Sequence, residues 1–358
     1  MASGRVEVPV APPYPVVVGA GLDLAGVLSE ELQPSVGAIL TDSNVGPLHA
    51  PSLKRALEGA GWHVIDVVEI PAGERSKSLP VYAEVAGRLV RSGMTRDGTL
   101  IALGGGVVGD LGGFVAATFM RGIGLVALPT SLLAMVDSSV GGKVGLDLPE
   151  GKNLIGSFFQ PRIVVADLRW LETLPDRELS CGLAEVIKMG LLSGGDYFAH
   201  LDRVGSAREG DPEALQSLIL HSARFKAGIV AEDELEGGSR AILNYGHTIG
   251  HALEAAADYS LPHGEAISAG MVAAALLSRE RLGTNLVGLH EELLRSAGLP
   301  LKVRGVEVEK ALRAMAHDKK RREGDEHRFV LLEDIGRPLW GIPVSQEEAR
   351  QAIGAVVD

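Results

Sequence analysis

The stretch "NYGHTIGHALE" at residues 244–254 sets His247 and His251 four positions apart, and on a helix that spacing puts two imidazoles on one face. Such a pair can chelate one zinc ion, as the histidines of an H-E-x-x-H helix do, although no glutamate stands between them here. A different chemistry is written in "TLIALGGGVVGDLGGF". An apolar run ends in Gly104, Gly105 and Gly106, whose missing Cβ atoms let backbone N–H groups come close to a ligand. The helix that follows offers its positive end, and the combination suits a pyrophosphate. Gly104, Gly106 and Gly109 satisfy G-x-G-x-x-G, but no acidic residue lies about 20 positions further on, so the motif alone leaves both a dinucleotide site and a bare strand-to-helix turn open. Asp42 and Asn44 after "AILT", with Glu74 and Lys77 in "PAGERSK", add polar side chains at two more strand ends, where a ribose or adenine is hydrogen-bonded; ordinary loop charge is the alternative.

The segment "PTSLLAMVDSSVGGKVGLDLPEGKNLIGSFFQP" (129–161) gathers Asp137, Lys143, Lys152 and Asn153 among glycines, in turns that let the ammonium groups converge on one anion. "VGGKV" is not a phosphate loop of the G-x-x-x-x-G-K-[ST] type. Asp137 takes the place of its first glycine and Val144 that of its hydroxyl, so nucleotide hydrolysis is excluded.

Two kinds of architecture must position these groups. Up to about residue 170, short β-branched runs alternate with amphipathic stretches, the signature of βαβ units in a parallel sheet. The expected strands are 14–19, 36–41, 63–70, 99–104, 124–129 and 162–167. Beyond "RWLETLPDRELSCGLAEVIKMG" the period is almost wholly helical. The sequence therefore reads as an α/β domain over 1–170 and a helical domain over 171–358, with the active site expected in a cleft between them. A hydrophobic fraction of 46% with 22% charged residues in 358 supports cores of that size. The net charge of −12 excludes a nucleic-acid surface and requires that an anionic ligand be caught by local cations. "AISAGMVAAALLS" is too short to span a membrane, the N-terminus lacks signal or transit character, and the single Cys181 fits a reducing cytoplasm.

Five ordered blocks, "GGGVVGDLGGFVAATFMRG", "PTSLLAMVDSSVGGKVGLDLPEGKNLIGSF", "ELSCGLAEVIKMG", "LNYGHTIGHALE" and "HGEAISAGM", resemble the 3-dehydroquinate synthases, a family within the sugar phosphate cyclases. The resemblance runs from about Asp42 to the "HDKKRR" segment at 317–322. It implies a Rossmann-like NAD-binding domain, a helical metal domain, one zinc or cobalt ion per subunit, and a homodimer. It also revises the pairing that spacing suggests: the metal is expected on Glu185, His247 and His263, with His251 turned to the substrate. NAD is expected along Asp42, Asn44, Glu74, Lys77, Gly105, Gly106, Val107, Asp110, Thr130, Ser131, Leu133, Lys143, Lys152 and Thr173.

For the substrate, the resemblance implies Asp137, Lys143, Lys152, Asn153, Lys188, Lys226, Arg240, Asn244 and His251, with Arg121 entering from the neighbouring subunit and Lys319 or Lys320 on the carboxylate side. Lys143, Lys188, Glu236, Arg240, Asn244 and His251 are the residues expected to serve the chemistry. The implied reaction turns 3-deoxy-D-arabino-heptulosonate 7-phosphate into 3-dehydroquinate and phosphate by transient oxidation, elimination, re-reduction, ring opening and aldol closure. The alternatives are another sugar-phosphate cyclase, a metal-dependent polyol dehydrogenase that accumulates NADH, and a non-catalytic NAD-sensing module.

Overall fold

The computed structural model describes residues 2–319 and 327–358, with the backbone alone for 317–319. The chain divides into two compact units, Met1–Leu174 with Lys226–Ala231, and Pro175–Phe225 with Glu232–Asp358. The helix Pro212–Glu232 thus gives its residues 226–231 to the first unit.

The first unit holds a seven-stranded sheet built from β1 (Gly4–Val8), β2 (Tyr14–Gly19), β3 (Val36–Asp42), β4 (His63–Ile70), β5 (Thr99–Gly104), β6 (Gly124–Pro129) and, after the hairpin of β7 (Lys143–Leu148) and β8 (Gly151–Phe158), β9 (Ile163–Asp167). The spatial order is β1-β2-β9-β6-β5-β3-β4. Only the β1–β2 pair is antiparallel. Every residue of β2, β5 and β9 is buried, so these strands read as continuous apolar runs, as a parallel sheet covered on both faces requires. Edge strand β4 keeps a mixed pattern instead. The six expected strands are all present, with β3 one residue longer and β9 one shorter than expected.

The β7–β8 hairpin lies where the glycines suggest turns. Gly145 pairs with Gly156, and a Cβ on either would come within 2.6 or 2.7 Å of the facing strand's carbonyl oxygens. Glycine here marks a tight strand pair rather than a loop.

Among its described residues the second unit is helical, with one hairpin as an exception to the all-helical expectation. Its principal helices are Asp176–Ser193, most of Pro212–Glu232, His247–Ala256, His263–Leu282, Val287–Ser296, Val308–Lys319 and Gln346–Ala355. Strands β10 (His327–Asp334) and β11 (Arg337–Val344) form an antiparallel hairpin where the leucine-rich sequence suggests no strand. Gly336, at φ +73°, turns the hairpin, and its N–H donates to the carbonyl of Leu191. The hairpin depends on that turn glycine more than on any alternation along "HRFVLLED". No helix among the described residues is long and apolar enough to cross a membrane.

Close helix crossings set the geometry of this unit. Residues 179–192 of the helix Asp176–Ser193 are buried without a break, and 13 residues of His263–Leu282 are buried on all sides. A Cβ on Gly264 would lie 2.3 Å from Cα of Cys181, and one on Gly270 would lie 2.1 Å from the carbonyl oxygen of Gly246. One on Gly250 would come within 3.2 Å of the Ala266 carbonyl. The buried Cys181 thus contributes its backbone to a helix contact, and burial, with Glu178 and Glu265 adding to it, pushes its thiol up to about 11.

Gly264→Ala should therefore destabilise the protein by roughly 1–3 kcal/mol or more, since the obstruction is backbone and cannot swing away. Gly288→Ala, exposed and with open space at its Cβ, should change stability by no more than about 0.5 kcal/mol. Denaturant titration of the two variants checks the contrast.

Candidate functional site

The helices Asp176–Ser193, His247–Ala256 and His263–Leu282 bring Glu185, His247 and His263 together, their ligand atoms all within 4.8 Å of one another. Glu185 is fully buried. Its Oε1 lies 3.4 Å from Nε2 of His247 and 3.6 Å from Nε2 of His263, while Oε2 contacts the Lys188 ammonium one turn along the same helix. Neither carboxylate oxygen has a well-aligned hydrogen-bond donor. Nδ1 of His247 lies 3.0 Å from the carbonyl oxygen of Tyr245. A carbonyl can only accept, so that nitrogen carries the proton and Nε2 presents a lone pair toward the carboxylate. Two acceptors facing each other across 3.4 Å leave the span of two ligands on one tetrahedral zinc, for which bonds of about 2.0–2.2 Å give edges of about 3.3–3.5 Å. The donor set therefore fits a metal ion.

Charge keeps Glu185 and His247 in ligating form, whereas His263 must give up a proton to an incoming ion. Burial alone would raise the Glu185 carboxyl, but Lys188, then His247 and His263, outweigh it and hold the group well below the usual carboxylate range. Burial, reinforced by Lys188, holds His247 well below its ordinary value despite Glu185, so its imidazole is neutral. For His263 burial is overcome by the Glu185 and Glu254 carboxylates, which bring it up to about 9.

His247 and His251 do stand side by side, ring centroids 5.1 Å apart and nearly perpendicular. His251 joins a different trio, however, with Glu254 and His263. Glu254 is a residue the spacing argument passes over, although it closes the same "HTIGHALE" run and lies seven positions, two turns, beyond His247. Buried to 4% exposure, it lies 3.5 Å from Nδ1 of His263 and 4.0 Å from Nε2 of the exposed His251.

In the first unit a second cluster forms at the strand ends. Lys77, 4% exposed, places its ammonium 2.8 Å from Asp110, 3.5 Å from Glu74 and 3.9 Å from Asp147, and donates to Oδ1 of Asn153 at 2.7 Å. Lys152 lies 3.9 Å from Glu74. Burial, opposed by Lys77, still leaves the Asp110 carboxyl raised, and Lys77 is itself raised because its carboxylates overcome its burial. Asp147, which the sequence reading missed, ties the cluster together by accepting the backbone N–H of Asn153, itself at φ +55°. Asn153, expected at the substrate, and Lys152, expected at both ligands, are thus joined to other residues expected at the cofactor.

Nearby, Gly105 precedes the helix Gly106–Thr118, whose first N–H groups have no intrahelical acceptor. Cβ atoms on Gly105 and Gly106 would crowd Oγ of Ser131 and Ser138, at 3.4 and 3.3 Å. A narrow recess is lined there by Gly104, Gly105, Gly109, Ser138 and Lys143 beside apolar residues such as Leu128 and Phe159. This cradle suits a pyrophosphate, and Val107 occupies its first helical turn.

The other expected residues are placed as follows. Asp42 turns Oδ1 to the N–H groups of Asn44 and Val45, starting the next helix. Thr130, just past β6, is buried and donates its N–H to the Gly104 carbonyl at the end of β5, and Ser131 caps a short π-helical turn that follows Leu133 and carries Asp137. Lys226 donates to both the carbonyl and Oδ1 of Asp137 at 2.6 Å. Thr173 meets His49 at 2.9 Å. In the second unit, Arg240 is buried, donates from Nη1 to the Glu234 carbonyl and sits in a loop wrapped around Asp233 that includes Glu236 at φ +58°. Asn244 is exposed at the start of the histidine run. Arg121 is exposed, and it and Met120 both take left-handed angles, φ +68° and +49°, a strain of about 1–3 kcal/mol each. Lys320 and the side chain of Lys319 lie outside the described residues.

Comparison with known proteins agrees across the chain. Family models for the 3-dehydroquinate synthase N-terminal and C-terminal regions match residues 67–181 and 182–321. A 3-dehydroquinate synthase of Symbiobacterium thermophilum is 47% identical over 354 residues, 96% of this chain and 98% of that one. Among solved structures, 2-deoxy-scyllo-inosose synthase complexed with carbaglucose-6-phosphate, NAD+ and Co2+ superposes with a TM-score of 0.87 at 28% identity, over 98% of this chain and 99% of that one. The 2-epi-5-epi-valiolone synthase of Streptomyces hygroscopicus subsp. jinggangensis, with NAD+ and Zn2+ bound, gives 0.86 at 27% identity over 96% of each.

Since Glu254 orients the His263 ring from behind, Glu254→Gln should weaken divalent-metal affinity about 10–100-fold while leaving the helices intact. Competition with a chelating dye, read beside circular dichroism, checks this. Unchanged affinity would remove Glu254 from the centre.

Proposed function

The chain belongs to the 3-dehydroquinate synthase family, and on that premise we infer that it converts 3-deoxy-D-arabino-heptulosonate 7-phosphate to 3-dehydroquinate and phosphate, using NAD and one zinc or cobalt ion per subunit. The observation that carries the reading is the Glu185–His247–His263 centre, whose facing acceptors fit a catalytic ion with open positions. When bound, the ion supplies a Lewis acid and NAD a reversible hydride acceptor.

The chain's own residues would handle binding, protons and phosphate. Glu185, with Nε2 of His247 and of His263, would hold the ion. N–H groups at Gly105, Gly106 and Val107 would take the pyrophosphate of NAD, while Asp42, Asn44, Glu74, Lys77, Asp110, Thr130, Ser131, Leu133 and Thr173 would line its remaining parts. Lys143, Lys152, Lys188, Lys226 and Arg240 would neutralise the substrate's carboxylate and phosphate, with Asp137 fixing Lys226 and Asn153 holding the neighbouring Lys77. Lys319 or Lys320 would add a cation on the carboxylate side. Asn244 and His251 would hold substrate hydroxyls, with His251 relaying a proton and Glu236 assisting. Elimination requires that a proton leave the carbon next to the transient ketone; the departing phosphate itself can accept it, with Lys143 and Lys188 fixing its position.

Arg121 would reach the substrate phosphate of the neighbouring subunit in a homodimer, a use that accounts for keeping two strained non-glycine residues in an exposed turn. A reducing, cytoplasmic setting accords with a buried thiol raised to about 11.

Phosphate release from the heptulosonate phosphate, dependent on added zinc or cobalt and without lasting NADH absorbance, is the expected result; persistent NADH would indicate a dehydrogenase instead. His251→Ala should keep its metal and lose most turnover, whereas His263→Ala should lose the metal, and metal analysis showing the reverse would overturn the assignment. Arg121→Ala and His251→Ala should each be inactive. Mixed so that subunits exchange, they should recover roughly a quarter of wild-type activity, because a hybrid dimer contains one intact site. No recovery despite proven exchange would place Arg121 within its own subunit's site.

A further inference from the structure

We propose that Asp196, His200 and His221 form a second divalent-cation site, taking zinc or a similar transition metal and sharing no residue with the Glu185 centre. Three donor atoms of this trio lie within 4.8 Å of one another. Nδ1 of His200 is 2.9 Å from the carbonyl oxygen of Asp196, and Nδ1 of His221 is 2.8 Å from that of Ser217, each four residues back along the chain. Since carbonyls only accept, both rings carry a proton on Nδ1 and offer Nε2 for other partners. Nε2 of His221 lies 3.2 Å from Oδ2 of Asp196, close to the edge of about 3.3–3.5 Å that joins two ligands of a tetrahedral zinc. The His200 ring lies close by, its centroid 4.1 Å from that of His221 and its plane tilted by 35°, with Nδ1 3.9 Å from Oδ1 of Asp196.

The cluster is built rather than accidental in its support. Tyr197, between Asp196 and His200 and 4% exposed, donates its hydroxyl to the carbonyl of Val186 at 3.1 Å and shares a 2.5 Å hydrogen bond with Ser222. Its ring lies 5.4 Å from that of His221. This buried phenol pins the segment carrying Asp196 and His200 against the helix carrying His221. Two imidazoles and one carboxylate select a borderline metal over magnesium or calcium, which prefer all-oxygen shells. Asp196, at 83% side-chain exposure, leaves the remaining positions to water. No residue of the trio has a part in the reaction inferred above. A bound ion would staple residues 196–200 to the helix Pro212–Glu232 and so raise the stability of the fold.

Equilibrium dialysis of the full chain against micromolar free zinc tests the proposal. Two zinc ions per chain are expected in the wild type and one in His200→Gln/His221→Gln, with the remaining ion lost only on adding His263→Ala. Asp196→Asn, whose exposed side chain makes misfolding a remote outcome, should weaken the second zinc at least ten-fold and abolish the rise in Tm between one and two equivalents. His221→Gln should release phosphate at the wild-type rate, so failure of the second site and failure of the enzyme reading are told apart. A single zinc in the wild type, or a second ion that survives both the double variant and Asp196→Asn, overturns the proposal.

Discussion

Glycines 246, 250, 264 and 270 let three helices of the second unit cross with backbone against backbone, and the Glu185 centre exists because of that approach. Gly264 follows His263 directly and packs on Cys181, one turn before Glu185, so the contact that brings the helices together also brings the carboxylate to the imidazole. Gly250 sits between His247 and His251 and does the same for the crossing of their helix with His263–Leu282. An added Cβ at any of these places would come within 2.7 Å of a facing residue and force the helices apart. The result is an ionised carboxylate with no exposed surface, tolerable only because Lys188 and two imidazoles surround it.

The first unit solves a different problem by different means. A parallel sheet aligns the C-terminal ends of its strands, and helix starts follow them, so the backbone itself supplies donors for an anion. A protein of net charge −12 must then meet an anion with cations placed locally. Lys77 is nearly buried among three carboxylates, and Lys226 is tied to Asp137. Those pairs hold their ammonium groups in register at little cost in side-chain entropy, because the geometry is fixed before any ligand arrives.

How much of this can be read from the chain depends on the range of the interaction. Strands β2, β5 and β6 match the expected limits because each is a local apolar run ended by a turn residue, and the mixed β4 matches through its β-branched residues and the proline that follows it. The β7–β8 and β10–β11 hairpins are not legible, since Gly145 and Gly156 look like loop residues until they are seen opposite each other, and β10 carries no alternation. In the site, the spacing of His247 and His251 correctly places them side by side, but the trio that His247 completes draws on residues far away in sequence. The resemblance to a known family, not spacing, names Glu185 and His263. Glu254 and Asp147 escape both, because an orienting carboxylate has no motif of its own and is identified only by what it touches.

Lys188 joins these themes, for it acts on the centre twice through one contact. Its ammonium stabilises the Glu185 charge against burial, and the same positive charge, at close range and in low dielectric, disfavours protonation of His247. A neutral residue at position 188 would remove both effects together, leaving a carboxylate more prone to take up a proton beside an imidazole more prone to do the same. Metal affinity depends on both ligands being deprotonated, so a lysine that repels cations at long range favours the ligating state of the groups around it. A cation beside the Glu185 cluster is therefore compatible with metal binding there, because it acts on the protons that would compete for the same lone pairs.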